Sequence, residues 1–149
     1  MKTGKFFELR FDKFQLRVPV GYWYAGYDTW VRPEGEEGVV GVTDFFQTKL
    51  GDIVYMGPVE ATFFEQDDVF ATLESIKAMV DITIPASGEL VSFNPALEER
   101  PELISQDPFG AGWIARLRLT DWEDDQLMLL PAKAYFEVMQ GKVAKERER

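Results

Sequence analysis

A mostly β fold, with short helices at its edges and one longer helix at the C-terminal end, is what this chain of 149 residues predicts. Three observations carry that prediction. Apolar and polar residues alternate in several short runs, the period of half-buried strands. Clusters of glycine, proline and acidic residues separate the runs, as turn chemistry requires. A helical stretch over residues 131–139 opens on Pro131 and has Gly141 just past it, the usual punctuation of a helix.

The chain opens with Phe7, Leu9 and Phe11, then Phe14, Leu16, Val18 and Val20, with Asp12-Lys13 breaking the register between them. Two half-buried strands meeting at a turn or bulge are expected, as an extra edge element with a structural role. Residues 33–38 (Pro-Glu-Gly-Glu-Glu-Gly) read as a solvated turn, its glutamates exposed charge rather than metal ligands. A strand over 39–43 runs into one or two helical turns over 44–50. Thr43 or Asp44 can cap that helix, Gly51 closes it, and Phe46 and Leu50 face the sheet. Asp67-Asp68 can close a hairpin, because aspartate tolerates the left-handed conformation.

Further on, Ser87-Gly88-Glu89 turns the chain, residues 90–93 return as a strand, and Asn94 and Pro101 start short helical segments. The glycines of 107–113 lack the strand-to-helix setting of a phosphate-binding loop, which argues against a nucleotide site. Ala115, Leu117 and Leu119 point inward and Arg116 and Arg118 outward, a strand pattern. Residues 121–125 lack the glycine and closing glutamate of a calcium loop and read as a charged helix start. Residues 142–149 read as a frayed, charged tail.

Composition narrows the chemistry. With no cysteine and no histidine, disulfides, thiol nucleophiles, Ser-His catalysis and the usual transition-metal sites fall away together. A formal net charge of −10 argues against nucleic acid and anionic membranes as partners. No apolar run reaches membrane-spanning length, and the first residues lack the apolar block of a signal peptide. A cytoplasmic protein is expected, or a mitochondrial matrix protein in a eukaryote.

One lysine stands apart. Lys77 lies between two β-favouring runs, 69–73 and 80–84, which predicts a hairpin with Lys77 at its exposed tip and its ε-amine unpaired. An amine on a four-carbon stem can be acylated there and reached by other proteins. A surface lysine at a turn is common, so its surroundings have to decide. Glu74-Ser75-Ile76-Lys77-Ala78, followed by Pro85-Ala86-Ser87-Gly88-Glu89, resembles the lipoyl-attachment hairpin of the H protein of the glycine cleavage system. Biotinyl domains flank their lysine with methionines; Ile76 and Ala78 stand here. Gly41-Val42-Thr43-Asp44, with Gln47 and Leu50-Gly51-Asp52-Ile53-Val54, is a longer match to the same family.

The resemblance spans roughly residues 22–139. It implies a lipoyl-domain barrel-sandwich hybrid of two small antiparallel sheets, with short peripheral helices and a C-terminal helix. The chain is then a single carrier domain, 1–149, with 1–20 an N-terminal extension and 142–149 the tail. The implied protein is not an enzyme but the swinging-arm component of a multienzyme system. Lipoate would be joined to Lys77 and Glu74 recognised by a lipoyl ligase or transferase. Asp28, Trp30 and Val80 would neighbour the arm, with Trp30 packed in the core or at its rim.

Departures from the family pattern bear on the cargo. Asp28 and Thr29 stand where the family has histidine and glutamate, and Val80 where serine is common. They direct the reading to an H-like lipoate-binding protein of a sulfur-oxidising system, with a heterodisulfide-reductase-like complex as partner. The alternative is a glycine cleavage H protein carrying an aminomethyl group among glycine decarboxylase, aminomethyltransferase and lipoamide dehydrogenase. A second alternative is an unlipoylated interaction module. A monomer without metal, nucleic-acid or membrane partners is expected in each case.

Overall fold

A computed structural model describes residues 5–148. Its main body is two facing antiparallel sheets. One has the order β3 (Trp23–Tyr24), β4 (Thr29–Glu34), β5 (Glu37–Val42), β11 (Ala115–Leu119), β10 (Gly88–Phe93) and β7 (Phe63–Phe64). The other has the order β6 (Ile53–Pro58), β8 (Val69–Ser75) and β9 (Met79–Thr83). Val31, Val40, Val42 and Leu117 of the first sheet meet Met56, Phe70, Leu73 and Ile82 of the second in one buried core. This is the expected barrel-sandwich. Inward and outward residues alternate as predicted on β11, where outward Arg116 pairs with Glu34 at 2.9 Å and Glu37 at 3.1 Å. The glutamates of the 33–38 turn therefore include partners for a neighbouring strand.

Residues 6–19 form the two half-buried strands and turn that were expected, though not as an edge of a main sheet. β1 (Phe6–Phe11) and β2 (Phe14–Pro19) pair with each other around Asp12, whose φ is 55°, and form a separate two-stranded sheet rather than an edge of either main sheet. Phe14 and Val20 are exposed, but Leu16 and Val18 are fully buried in a second core with Tyr24, Trp30 and Phe45. The outer side of β2 is not free to extend a sheet at Arg17, because its N–H donates to Asp44 Oδ2 at 3.0 Å.

The C-terminal helix α4 (Ala132–Arg147) closes that second core. It runs through Gly141, so residues 142–147 are helix and not a frayed tail; Arg149 lies outside the described residues. The reason is a buried stripe at four-residue spacing, Tyr135, Met139 and Val143, which keeps one face against the hairpin. Gly141 is on the exposed side with nothing close to it. Its helix penalty of about 1 kcal/mol is smaller than the gain from burying Val143, about 1.5–3 kcal/mol.

Short helices join the strands, two of them capped at Thr43 and Asn94 as expected, while the helical segment expected at Pro101 begins two residues later, at Leu103. α1 (Asp44–Leu50) starts on Thr43, whose hydroxyl accepts the Phe46 N–H at 3.2 Å, and ends where the Gly51 N–H bonds Gln47 O. Phe45 and Leu50 are its buried residues, and Phe46 is only half-buried. Phe46 and Leu50 pack on the main core as expected, while Phe45, which a one-sided pattern does not place, enters the second core because α1 lies between the two. Asn94 caps a 3₁₀ turn (Pro95–Leu97), followed by α2 (Leu103–Gln106) and α3 (Trp122–Gln126). Within α3, Asp125 is buried and accepts the Ser87 N–H at 2.6 Å, tying down the turn before β10.

Trp30 and Gly41 set the spacing of β4 against β5. They face each other in register, and a Cβ on Gly41 would meet the indole ring at 2.6 Å. Gly41→Ala should therefore destabilise the fold by about 1–3 kcal/mol, read as a lower midpoint in urea with an unchanged slope.

Candidate functional site

The site is built on the β8–β9 hairpin. Leu73 pairs with Val80 and Glu74 with Met79, and Phe70, Leu73 and Ile82 anchor the two strands in the core. The ladder ends at Ser75, whose N–H bonds Ala78 O at 2.8 Å and whose hydroxyl accepts the Ala78 N–H at 3.2 Å. Beyond that closure Ile76, Lys77 and Ala78 are exposed. Lys77 forms neither a hydrogen bond nor an ion pair among the described residues. The hairpin tip and the unpaired amine are thus as the sequence predicts.

The stem of Lys77 leans over the end of α1. Its Cε lies 3.7 Å from where a Cβ on Gly51 would stand. Gly51 has φ of 90° and ψ of −173°, a backbone region open essentially to glycine alone. Next to it lies a cleft of about 290 Å³ lined by Asp28, Phe46, Lys49, Leu50 and Val80. Its walls come from the β3–β4 turn, α1 and β9, distant in sequence and joined by the packing of the two sheets.

Two of the predicted arm neighbours, Asp28 and Val80, therefore share one cleft beside Lys77. Trp30 does not line it. Its side chain is fully buried, its indole N–H donates to Val42 O at 2.8 Å, and its ring packs against Tyr22 and Phe109. The core packing of Trp30 is as expected; Asp28 is two residues earlier but sits in the turn at φ of 75° and leaves the strand's facing rule. Glu74 is half-buried, on the sheet row that runs from Tyr55 through Glu74 to Met79.

Residues the sequence did not single out complete the cleft. Lys142 of α4 places its ammonium 2.9 Å from both carboxylate oxygens of Asp28 and 2.5 Å from Gly26 O. Tyr135 donates to Asp28 Oδ1 at 2.7 Å and is 3.0 Å from the Thr43 hydroxyl. A carboxylate only accepts, so the Tyr135 proton goes to Asp28 and Thr43 must donate to Tyr135. A directed chain results, from the Phe46 N–H through Thr43 and Tyr135 to Asp28, each bond polarising the next. Lys49, which also lines the cleft, pairs with Glu146 of α4 at 3.1 Å. No local motif could reveal these partners, which lie about a hundred residues from Asp28 and Lys49.

Among the described residues no cluster of acidic side chains is arranged to hold a metal ion, and no helix is long and apolar enough to cross a membrane. A barrel-sandwich that offers an unpaired lysine on a hairpin tip, with a cleft near it, has the layout of a carrier domain. Comparison with known proteins specifies the class. The family model described as "Glycine cleavage H-protein" matches residues 22–142. The chain is 40% identical over 121 residues to the glycine cleavage system H protein of Bacteroides fragilis, covering 80% of this chain and 95% of that one. It is 42% identical over 128 residues to the corresponding protein of Thermus thermophilus, covering 85% and 98%. A crystal structure of a glycine cleavage system H protein from Mycobacterium marinum superposes with a TM-score of 0.67 at 27% identity, covering 79% of this chain and 95% of that one. The chain belongs to the glycine cleavage H-protein family, a family of lipoyl carriers.

The tyrosines around the site give it an alkaline limit. Burial, reinforced in Tyr135 by the Asp28 charge and in Tyr27 by its bond to Asp67, pushes the hydroxyls of Tyr24, Tyr27 and Tyr135 well above their ordinary 10.0. Above that pH the unfolded chain has lost these protons and the folded protein has not. Stability is thus fully present below pH 10 and falls as pH rises. Ultraviolet titration at about pH 11 should find these three hydroxyls silent until the protein unfolds. Tyr135→Phe should make the decline in stability above pH 10 less steep.

Proposed function

We propose that this protein is a lipoyl carrier of glycine cleavage, bearing its arm on Lys77 and passing the aminomethyl group of glycine between partner enzymes. The observation that carries the reading is an exposed, unpaired Lys77 whose stem leans over Gly51 toward a cleft of about 290 Å³. The residues present fit a lipoyl group. Phe46, Leu50 and Val80 offer an apolar surface for a hydrocarbon arm, and the unsubstituted Gly51 lets the stem approach it. When bound, lipoate supplies a dithiolane that opens and recloses by thiol–disulfide exchange.

The chain's own part is presentation and shelter. The hairpin tip holds the attachment point clear of the body, so each partner meets the reactive group at high effective concentration. Glu74, three residues before Lys77 and half-exposed, is the recognition residue for a lipoyl ligase or transferase. Asp28 gives the cleft a hydrogen-bond acceptor, while the apolar wall at Val80 and Leu50 limits water. Glycine decarboxylase, aminomethyltransferase and lipoamide dehydrogenase are the partners this cargo requires, and the cytoplasm of a bacterium is where they would be met.

The sulfur-oxidation reading is set aside. The relatives support glycine cleavage, and the structure removes part of the reason for doubting it. Asp28 is not a bare anion in place of a neutral ring, because Lys142 meets its charge within the cleft wall.

Co-expression with a lipoyl ligase and lipoate should add the mass of one lipoyl group, mapped to Lys77. Glu74→Ala should slow that modification and leave thermal stability within about 0.5 kcal/mol. The lipoylated protein should then support glycine–bicarbonate exchange by glycine decarboxylase. A label on Lys49 or Lys133 would remove the carrier reading. No exchange, together with loading by sulfane sulfur, would restore the sulfur pathway.

A further inference from the structure

The two charged walls of the cleft are each met by a charge from one helix. Asp28 is paired with Lys142 at 2.9 Å, and Lys49 with Glu146 at 3.1 Å. Lys142 and Glu146 are four residues apart on α4 and so lie one turn apart on the same side of the helix. Their order matches the order of the walls, a cation on the acidic wall and an anion on the basic one. The acidic pair is the better shielded, with Asp28 14% and Lys142 31% exposed at the side chain, against Glu146 21% and Lys49 45%.

We propose that Lys142 and Glu146 are positioning residues that set how firmly the cleft holds an arm carrying a positively charged amine. The proposal rests on the reading of the cleft as the seat of the Lys77 arm. The argument is one of acceptor capacity and charge. An ionised carboxylate has about four acceptor sites. Lys142 reaches both oxygens of Asp28 and Tyr135 takes one more site on Oδ1, so Oδ2 keeps capacity for a further donor. An ammonium on the arm can use it, but meets a carboxylate already neutralised by Lys142. The arm is held by a hydrogen bond rather than by a full ion pair, and it can leave when a partner arrives. Lys49 would repel the same ammonium, and Glu146 cancels that repulsion. α4 thus keeps the cleft close to neutral from both sides.

This account predicts opposite signs for two neutralising substitutions, whereas a helix that merely packs predicts the same sign for both. With Lys142→Gln, Asp28 becomes an uncompensated anion and should retain an ammonium-bearing arm more strongly. With Glu146→Gln, Lys49 becomes an uncompensated cation and should retain it less.

The chain has no cysteine, so thiols of a reduced lipoyl arm can be alkylated selectively. Treatment with 2-bromoethylamine, which forms a thioether and releases bromide, gives an arm with ammonium ends. Treatment with 2-iodoethanol gives a neutral arm of similar size. The ratio of seated to free arm is read from the methyl NMR signals of Leu50 and Val80. For the ammonium arm, Lys142→Gln should raise that ratio about two- to fivefold and Glu146→Gln should lower it by a similar or smaller factor. Neither should change the ratio for the neutral arm, and Lys142→Arg should behave as the parent. A shift in the same direction in both variants, or an equal shift with the neutral arm, would overturn the proposal and leave the carrier reading standing. A Lys77 that takes up no lipoyl group would remove both.

Discussion

A side chain that other proteins must reach can be neither buried nor paired, and Lys77, the attachment point in the proposed function, meets both conditions. The hairpin carrying it has to be rigid without any help from its own tip. Its anchoring therefore lies lower, in Phe70, Leu73 and Ile82, which fill the core between the two sheets, and in the Ser75–Ala78 closure beneath the tip. Buried apolar side chains of this kind lose about 2–5 kcal/mol on truncation. Exposed Ile76, Lys77 and Ala78 carry no comparable load, and the tip is free to meet a modifying enzyme and then a series of partners.

α1 ends on Gly51 because the backbone there, at φ of 90°, is open essentially to glycine, and the Lys77 stem lies over that turn. A larger residue there would be strained by the backbone and would also stand against the stem. The cleft behind it is assembled from separate parts of the chain, and its polarity is decided further away still. Asp28 enters it from a left-handed turn, and Lys142 and Tyr135 come from α4. Buried or half-buried charges without partners are costly, so the acidic wall depends on α4 being in place. α4 in turn is held by the hairpin of β1 and β2, whose Leu16 and Val18 share its core with Tyr135, Met139 and Val143. The N-terminal hairpin, which lies before the part of the chain that matches the family model, thereby contributes to the site without touching it.

Much of this was legible in the sequence where the cause was local. Alternating runs predicted the strands. Thr43, Gly51 and Asn94 marked their helix boundaries through bonds made within a few residues, and the Lys77 hairpin followed from its two flanks. Misreadings arose where a distant contact overrode the local signal. Gly141 has the look of a helix stop, yet α4 continues because Val143 finds a core to enter. Phe45 had no place in a one-sided pattern, yet it is buried because α1 is sandwiched between two cores and not laid on one surface. Trp30 packs in the core as expected, and it is Asp28, in a turn outside strand geometry, that reaches the cleft.

The division has a physical basis. The sequence by itself determined the period of each strand, its turns and caps, and a lysine displayed between two β runs, because these depend on backbone preferences and neighbours close along the chain. Tertiary structure alone decided that Lys49 joins Asp28 and Val80 in one cleft, and that Lys142 and Glu146 meet the two charges that line it. Charges more than a hundred residues apart in the case of Asp28 and Lys142 meet only after two cores have packed. Neither residue carries any mark in the sequence of the partner it will find.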